Sequence, residues 1–131
     1  MAAEKEKISI VLPNHLGDVV MATPALRALR RGRPDAHIRG VLRAPLAPVL
    51  RGSPWLDGFV LHDIPAAGGA LAKLRARLAL AREMRGSELA VVLPNSFGSA
   101  LLAVASRAPR RVGYARSGRD FLLTTAVPAP R

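Results

Sequence analysis

A carboxylate, Asp18, stands where a strand–turn–helix segment enters its helix, and this position limits the chemistry of the segment. The apolar run at residues 8–12 is typical of a buried strand, and the turn that follows ends at Gly17. A helix start commonly receives phosphate because its backbone N–H groups are free, but a carboxylate there repels phosphate. Carboxylate oxygens instead accept a hydrogen bond or a proton from a hydroxyl group. Asp18 is therefore a candidate general base. The alternative is a residue that only interacts favourably with the helix dipole.

The same turn lacks the glycines of a nucleotide-binding loop. The dinucleotide fingerprint needs G-x-G-x-x-G, and a P-loop needs G-x-x-x-x-G-K-[ST]. This turn contains Gly17 alone, so neither motif is present. His15 is a rival base on chemical grounds, because an imidazole titrates near neutral pH.

Strand and helix patterns alternate along the chain. We predict strands at residues 8–12, 37–42, 58–62, 88–93, 110–114 and 121–127, and helices at 18–31, 45–51, 70–85 and 97–106. Such alternation predicts an α/β fold, a Rossmann-like, doubly wound sheet of mainly parallel strands, in one domain. Pro24 is expected to kink the first helix because it removes a backbone hydrogen bond.

The helix predicted over residues 70–85 is strongly amphipathic and basic. Leu71, Leu74, Leu78 and Ala81 recur at helical spacing and form its predicted apolar stripe. Basic side chains surround that stripe: Lys73, Arg75, Arg77, Arg82 and Arg85.

Several polar residues follow the predicted strands of this sheet. Asn95 and Ser96 come after the fourth strand, and Arg116 comes shortly after the fifth. Ligands of open α/β sheets bind at the carboxyl ends of strands, so these residues are predicted to line one crevice with Gly17 and Asp18. Asn95 or Ser96 is also a suitable helix N-cap, and Arg116 could simply be a solvated loop residue.

The charge balance indicates an anionic partner or a solvated basic face. Lys and Arg number 20 against 9 Asp and Glu, a net charge of +11. Nucleic acid is a competing partner. However, aromatic residues make up only 4% of the chain and no helix-turn-helix or zinc-finger pattern is present, so no nucleic acid is expected. The absence of cysteine and the scattered histidines predict no metal site.

The chain also lacks the patterns of export and membrane insertion. Residues 1–7 are charged and short, and no apolar core of a signal peptide follows them. No apolar run approaches the length of a membrane span. A cytoplasmic location is therefore expected.

Three segments together resemble the bacterial heptosyltransferases of glycosyltransferase family nine. They are NHLGDVVMATPALR at 14–27, VVLPNSFGSAL at 91–101 and RRVGYARSGR at 110–119. They stand in the family's order, and the first two are closest to the heptosyltransferase II branch. That branch adds the second heptose to the lipopolysaccharide inner core.

The resemblance implies a GT-B glycosyltransferase of which residues 1–131 are the N-terminal, acceptor-binding Rossmann-like domain. It further implies metal-independent, inverting transfer of heptose from ADP-L-glycero-D-manno-heptose to a Kdo- and heptose-bearing lipid A acceptor. Asp18 would be the catalytic base, with Gly17, Asn95, Ser96 and Arg116 binding the acceptor. No cofactor is implied, because the nucleotide-sugar is a substrate.

The resemblance also implies that the donor is held mainly by a C-terminal domain, which is absent from residues 1–131, so the chain alone is expected to be inactive. The phosphorylated acceptor could also contact the basic helix at 70–85. Peripheral contact with the cytoplasmic leaflet of the inner membrane is expected from the basic surface. Two alternatives remain: a family-nine transferase for another sugar, and a non-enzymatic basic α/β module that binds nucleic acid or another anionic partner.

Overall fold

The described residues of the computed structural model, 6–63, 69–94, 97–114 and 122–127, form a six-stranded sheet flanked by helices. The strands are β1 (Lys7–Val11), β2 (His37–Arg43), β3 (Gly58–His62), β4 (Leu89–Val92), β5 (Arg110–Tyr114) and β6 (Thr125–Val127). Their order is β3-β2-β1-β4-β5-β6, and every neighbouring pair is parallel. The predicted α/β, Rossmann-like fold is confirmed.

The helices join these strands as crossovers. They are α1 (Leu16–Met21), α2 (Thr23–Gly32), a 3-10 turn (Ala44–Leu46) continuing into α3 (Ala47–Leu50), α4 (Ala70–Glu83) and α5 (Phe97–Ala105). Most predicted elements agree with these bounds to within a few residues. The last strand is shorter than predicted, because its pairing with β5 extends only from Thr125 to Val127.

Both faces of the central strand β1 are buried, as expected for a parallel sheet covered by helices. Ile8 and Ile10 face the cluster that contains Val19 of α1 and Leu26 of α2. Val11 faces the opposite cluster, to which α4 and α5 contribute. The apolar run at the start of the chain is continuous because it must fill both of these cores.

The first predicted helix is in fact two helices that meet at Ala22. Pro24 has no N–H group, so it cannot donate the helical hydrogen bond to the carbonyl of Val20. The hydroxyl of Thr23 donates to that carbonyl instead, at 2.8 Å. The predicted interruption at Pro24 is confirmed, but the prediction of one helix over 18–31 was wrong.

Most of the apolar stripe predicted for the basic helix does not face the core. Leu71, Leu74 and Leu78 are 60%, 43% and 45% exposed. The buried positions are Leu80 and Ala81 of α4 and the adjacent Met84. These three pack with strand residues on the α4–α5 side of the sheet. The three leucines of the predicted stripe therefore lie on the outside, and only its Ala81 packs on the core, which corrects the usual expectation that the whole stripe does so.

Candidate active site

The strands that precede the predicted site residues lie side by side. Val11 of β1 is in register with Val92 of β4, and Val92 is in register with Gly113 of β5. The N–H group of Leu93 continues this pairing by donating to the carbonyl of Val11 at 3.1 Å. The segments that follow β1, β4 and β5 therefore leave the same edge of the sheet, as the sequence predicts, and the structure shows that they leave it from three adjacent strands.

Asp18 lies in the first turn of α1, directly after the turn that leaves β1. The N-cap is His15, whose backbone is extended and whose side chain makes no capping hydrogen bond. Val19 is fully buried and anchors α1 against the core. The predicted position of Asp18 at the helix start is confirmed.

The carboxylate of Asp18 is open to solvent and only loosely partnered. Its side chain is 65% exposed, and Nδ1 of His15 lies 3.8 Å from its Oδ2. That distance is too long for a hydrogen bond. Among the described residues, no other cationic side chain comes within 4.0 Å of this carboxylate. Its oxygens are therefore available to accept a proton or hydrogen bond from an incoming hydroxyl.

Exposed apolar side chains lie near Asp18 on α1, and they are not among the residues predicted from the sequence to form the site. Leu16, Val20 and Met21 are all exposed, Met21 by 81%. A group of exposed large apolar residues on one short helix is typical of a contact surface. The signal was present in the sequence, because Leu16 and Val20 are four residues apart and face away from the buried Val19.

Gly17 belongs to α1 and not to the turn, which corrects the predicted glycine turn. The turn consists of residues 13–15, and Gly17 does not have a positive φ. A Cβ atom built at Gly17 would meet nothing within 4 Å. Neither the backbone conformation nor the packing therefore requires glycine at this position. The open space beside Gly17 leaves room for a ligand to approach the backbone.

Asn95, Ser96 and Arg116 lie outside the described residues, and their predicted roles stay predictions. Two neighbouring features are described. The hydroxyl of Ser99 in α5 donates to the carbonyl of Pro94 at 3.3 Å, which ties the start of α5 to the end of β4. Tyr114, at the end of β5, lines an apolar groove of about 170 Å³ with residues of β4 and β6.

His62 ends β3 at the same edge of the sheet. Burial lowers the pKa of His62 below its usual value, the nearby Arg43 guanidinium lowers it further, and Asp63 partly opposes the effect. The charged form of the imidazole is therefore disfavoured. In the ranges that the structure describes, no three His, Asp or Glu side chains are placed to share a metal ion.

Not one of the described helices combines the length and the apolar character needed to cross a bilayer.

The sequence is similar to known heptosyltransferases, although a scan of protein-family models found no match. It is 32% identical to lipopolysaccharide heptosyltransferase 2 of Salmonella typhimurium strain LT2 over 122 residues, which are 92% of this chain and 34% of that protein. It is 30% identical to lipooligosaccharide heptosyltransferase 2 of Haemophilus ducreyi over 118 residues, 89% of this chain and 33% of that protein.

The fold is similar as well. The E. coli ADP-heptose lps heptosyltransferase II matches with a TM-score of 0.80 and 27% identity, over 95% of this chain and 35% of that one. A family 9 glycosyl transferase from Veillonella parvula matches with a TM-score of 0.83 and 24% identity, over 99% of this chain and 38% of that one, and supports the fold alone.

The chain thus spans about a third of the length of the relatives it matches. The resemblance indicated by the three sequence segments is confirmed by independent similarity in sequence and in fold. Over about nine tenths of its length, this chain is similar to a part of the heptosyltransferases of glycosyltransferase family nine, a family of enzymes.

Proposed function

We propose that this chain is the acceptor-binding, N-terminal part of an inverting GT-B glycosyltransferase that transfers heptose to the lipopolysaccharide inner core. The observation that carries the proposal is the similarity to heptosyltransferase 2 over 92% of the chain. The exposed, loosely partnered carboxylate of Asp18 supports it, because it lies at the carboxyl end of β1, where an acceptor would bind.

In the proposed reaction, Asp18 is the general base. A hydroxyl of the acceptor attacks the anomeric carbon of ADP-L-glycero-D-manno-heptose, and a new C–O bond forms as the bond to ADP breaks. The hydroxyl proton passes to the Asp18 carboxylate, and ADP leaves with the bonding electrons. General-base catalysis of this kind contributes about 10²–10⁴-fold to the rate.

We further propose that the acceptor is held by residues at the same edge of the sheet. Gly17 offers an unobstructed backbone beside Asp18. Asn95 and Ser96 would orient acceptor hydroxyls, and Arg116 would bind an anionic group of the acceptor. The nucleotide-sugar would be bound mainly by the C-terminal half of the whole enzyme, with no further cofactor.

We also propose a cytoplasmic location with peripheral contact with the inner membrane. The outer face of α4 supports this location. Leu71, Leu74 and Leu78 present a line of exposed leucines on this face. Arg75 and Arg82 are exposed and lie four residues after Leu71 and Leu78, on the same side of the helix. Exposed leucines beside arginines suit the interface of an anionic bilayer, from which a lipid-anchored acceptor would be presented.

A chimera tests the proposed function. Residues 1–131 replace the matching third of the Salmonella typhimurium relative, and heptose transfer to inner-core acceptor is measured with ADP-heptose as donor. We expect transfer by the chimera, and a loss of about 10²–10⁴-fold in kcat for Asp18→Asn. Asp35→Asn is the matched control, because Asp35 is an exposed carboxylate in the loop between α2 and β2.

Two results would count against the proposal. A chimera that folds, as judged by circular dichroism, but transfers nothing would refute the acceptor-binding role. Near-normal turnover of the Asp18→Asn chimera would remove Asp18 from the role of base while leaving the acceptor-binding role in place.

A further inference from the structure

A groove of about 560 Å³ runs along the outer side of α2, and none of its lining residues is among those assigned above to the acceptor. Its lining residues are Thr23, Pro24, Arg27, Ala28, Arg31 and Trp55. Five of them come from α2, and Trp55 comes from the loop before β3. The groove thus combines two arginines, a hydroxyl and an indole, and its lining contains no acidic side chain.

The two arginines of the groove have no acidic partner among the described residues. Arg27 and Arg31 are exposed, and no described carboxylate lies within 4.0 Å of either guanidinium. They are four residues apart and therefore neighbours on one face of α2, where like charges destabilise a helix. An anion bound between them would relieve this repulsion, and guanidinium groups bind phosphate in a bidentate manner.

The wall that carries Trp55 is held firmly against α2. Nε of Arg30 donates to the carbonyl of Trp55 at 3.2 Å, and Nη2 of Arg30 pairs with Oδ2 of Asp57 at 2.6 Å. The same Asp57 oxygen accepts the N–H of Ile38 in β2 at 2.8 Å. The N–H of Trp55 donates to Oγ of Ser53 at 3.2 Å. These bonds fix the Trp55 loop against α2, so a ligand has to order only the exposed arginine side chains and not the walls when it binds.

The remaining lining groups suit a ligand that bears a ring and hydroxyl groups. Trp55 is partly buried against the core cluster and offers apolar surface to the groove. The hydroxyl of Thr23 already donates to the carbonyl of Val20, so its oxygen lone pairs remain to accept a hydrogen bond from a ligand hydroxyl.

We propose that this groove is a binding site for a phosphorylated sugar. Arg27 and Arg31 bind the phosphate, the ring packs against Trp55, and a sugar hydroxyl donates to Thr23. None of the groove's lining residues is among the proposed acceptor-binding residues. The proposal does not rest on the transferase activity, because this chain can bind such a ligand without any donor.

The chain provides its own probe, because Trp55 is its sole tryptophan. Intrinsic fluorescence is recorded while the chain is titrated with glucose 6-phosphate, mannose 6-phosphate and a heptose 7-phosphate. We expect a saturable change with at least one of them, with a Kd of about 1 mM or tighter. Glucose and inorganic phosphate alone should bind at least about tenfold more weakly, since each makes only part of the contacts.

Substitutions locate the binding. The double variant Arg27→Ala/Arg31→Ala is expected to weaken sugar phosphate binding by about tenfold or more, since both phosphate contacts are lost. Arg82→Ala/Arg85→Ala is the matched control, because both residues are exposed arginines at or just beyond the end of α4 and this variant removes the same two charges away from the groove. Circular dichroism verifies that each variant is folded.

Three outcomes would overturn the proposal. One is the lack of any saturable change up to about 20 mM of all three sugar phosphates, which would place any affinity below a useful range. Another is equal affinity for inorganic phosphate, which would make the groove a simple anion site. The third is tighter binding of adenosine monophosphate, which would make it a nucleotide site. None of these outcomes bears on heptose transfer, so the two proposals fail separately.

Discussion

The hydroxyl of Thr23 donates to the carbonyl of Val20 at 2.8 Å, in the place where the N–H of residue 24 would donate in an unbroken helix. Pro24 lacks that N–H group, so the helix is interrupted and α1 becomes a separate, short element. Asp18 lies in the first turn of this short helix.

Loss of this hydroxyl should weaken the α1–α2 junction. Thr23→Val keeps the shape of the side chain and removes the hydrogen bond, and we expect the free energy of unfolding to fall by about 0.5–1.5 kcal/mol. Thr23→Ser retains the hydroxyl, so its free energy of unfolding should fall by less. Urea unfolding followed by circular dichroism measures both, and equal losses in the two variants would contradict a role for the hydroxyl.

Arg30 should not tolerate replacement by lysine. Its guanidinium donates to the carbonyls of Trp55 and Ala36 and also pairs with Asp57. A lysine ammonium lacks the planar, forked donors that reach these acceptors together. We expect Arg30→Lys to lower the free energy of unfolding by about 1–3 kcal/mol. Arg31→Lys, at an exposed site, is the control and should be nearly neutral.

Alanine at position 17 should separate a structural role of Gly17 from a role in ligand binding. A Cβ there meets nothing within 4 Å, and alanine favours helix over glycine by about 1 kcal/mol. Gly17→Ala should therefore unfold at equal or higher urea concentration. In the chimera described above, a raised KM for the acceptor with unchanged kcat would support close approach of the acceptor to this backbone. A destabilised protein would contradict the geometry.

The leucine stripe of α4 should determine binding to anionic membranes. Replacing Leu71, Leu74 and Leu78 by glutamine removes exposed apolar surface and leaves the core unchanged, so the free energy of unfolding should change little. We expect at least about a tenfold loss of binding to vesicles that contain phosphatidylglycerol, measured by co-sedimentation. A triple replacement by isoleucine is the control, because it keeps the apolar surface. Unchanged binding of the glutamine variant would exclude this face as the membrane contact.

Stability should depend on the protonation of His62. The pKa of His62 in the folded chain lies below its usual value of 6.5, chiefly because burial disfavours the charged form. The unfolded chain therefore binds more protons near that pH. The contribution of His62 is fully present above pH 6.5 and is lost as the pH falls from there through the folded-state pKa. When the free energy of unfolding is measured against pH, His62→Gln should flatten the profile below pH 6.5. A profile unchanged by this substitution would contradict the contribution of His62.

The local features of this protein could be read from its sequence. The alternation of apolar runs with amphipathic segments predicted the parallel sheet, because each parallel strand needs a helical crossover. Pro24 predicted the interruption after α1, and the place of Asp18 in the first turn of a helix followed from its immediate neighbours, although that helix begins at Leu16. The interruption and the helix start depend on contacts within a few residues, so short stretches of the chain carry them. The contributions of Asn95, Ser96 and Arg116 remain predictions of the same local kind.

Tertiary structure alone decided which surfaces face outward and which distant residues meet. Apolar residues recur at helical spacing on two faces of α4. Only the docking of α4 on strand residues such as Val41 and Val60 decides that Leu80 and Met84 are buried and that Leu71 stays exposed. Likewise, Trp55 reaches the groove beside Arg27 because Arg30 ties its loop to α2. Such choices depend on which distant segments pack together, and the periodicity of one segment does not contain that information.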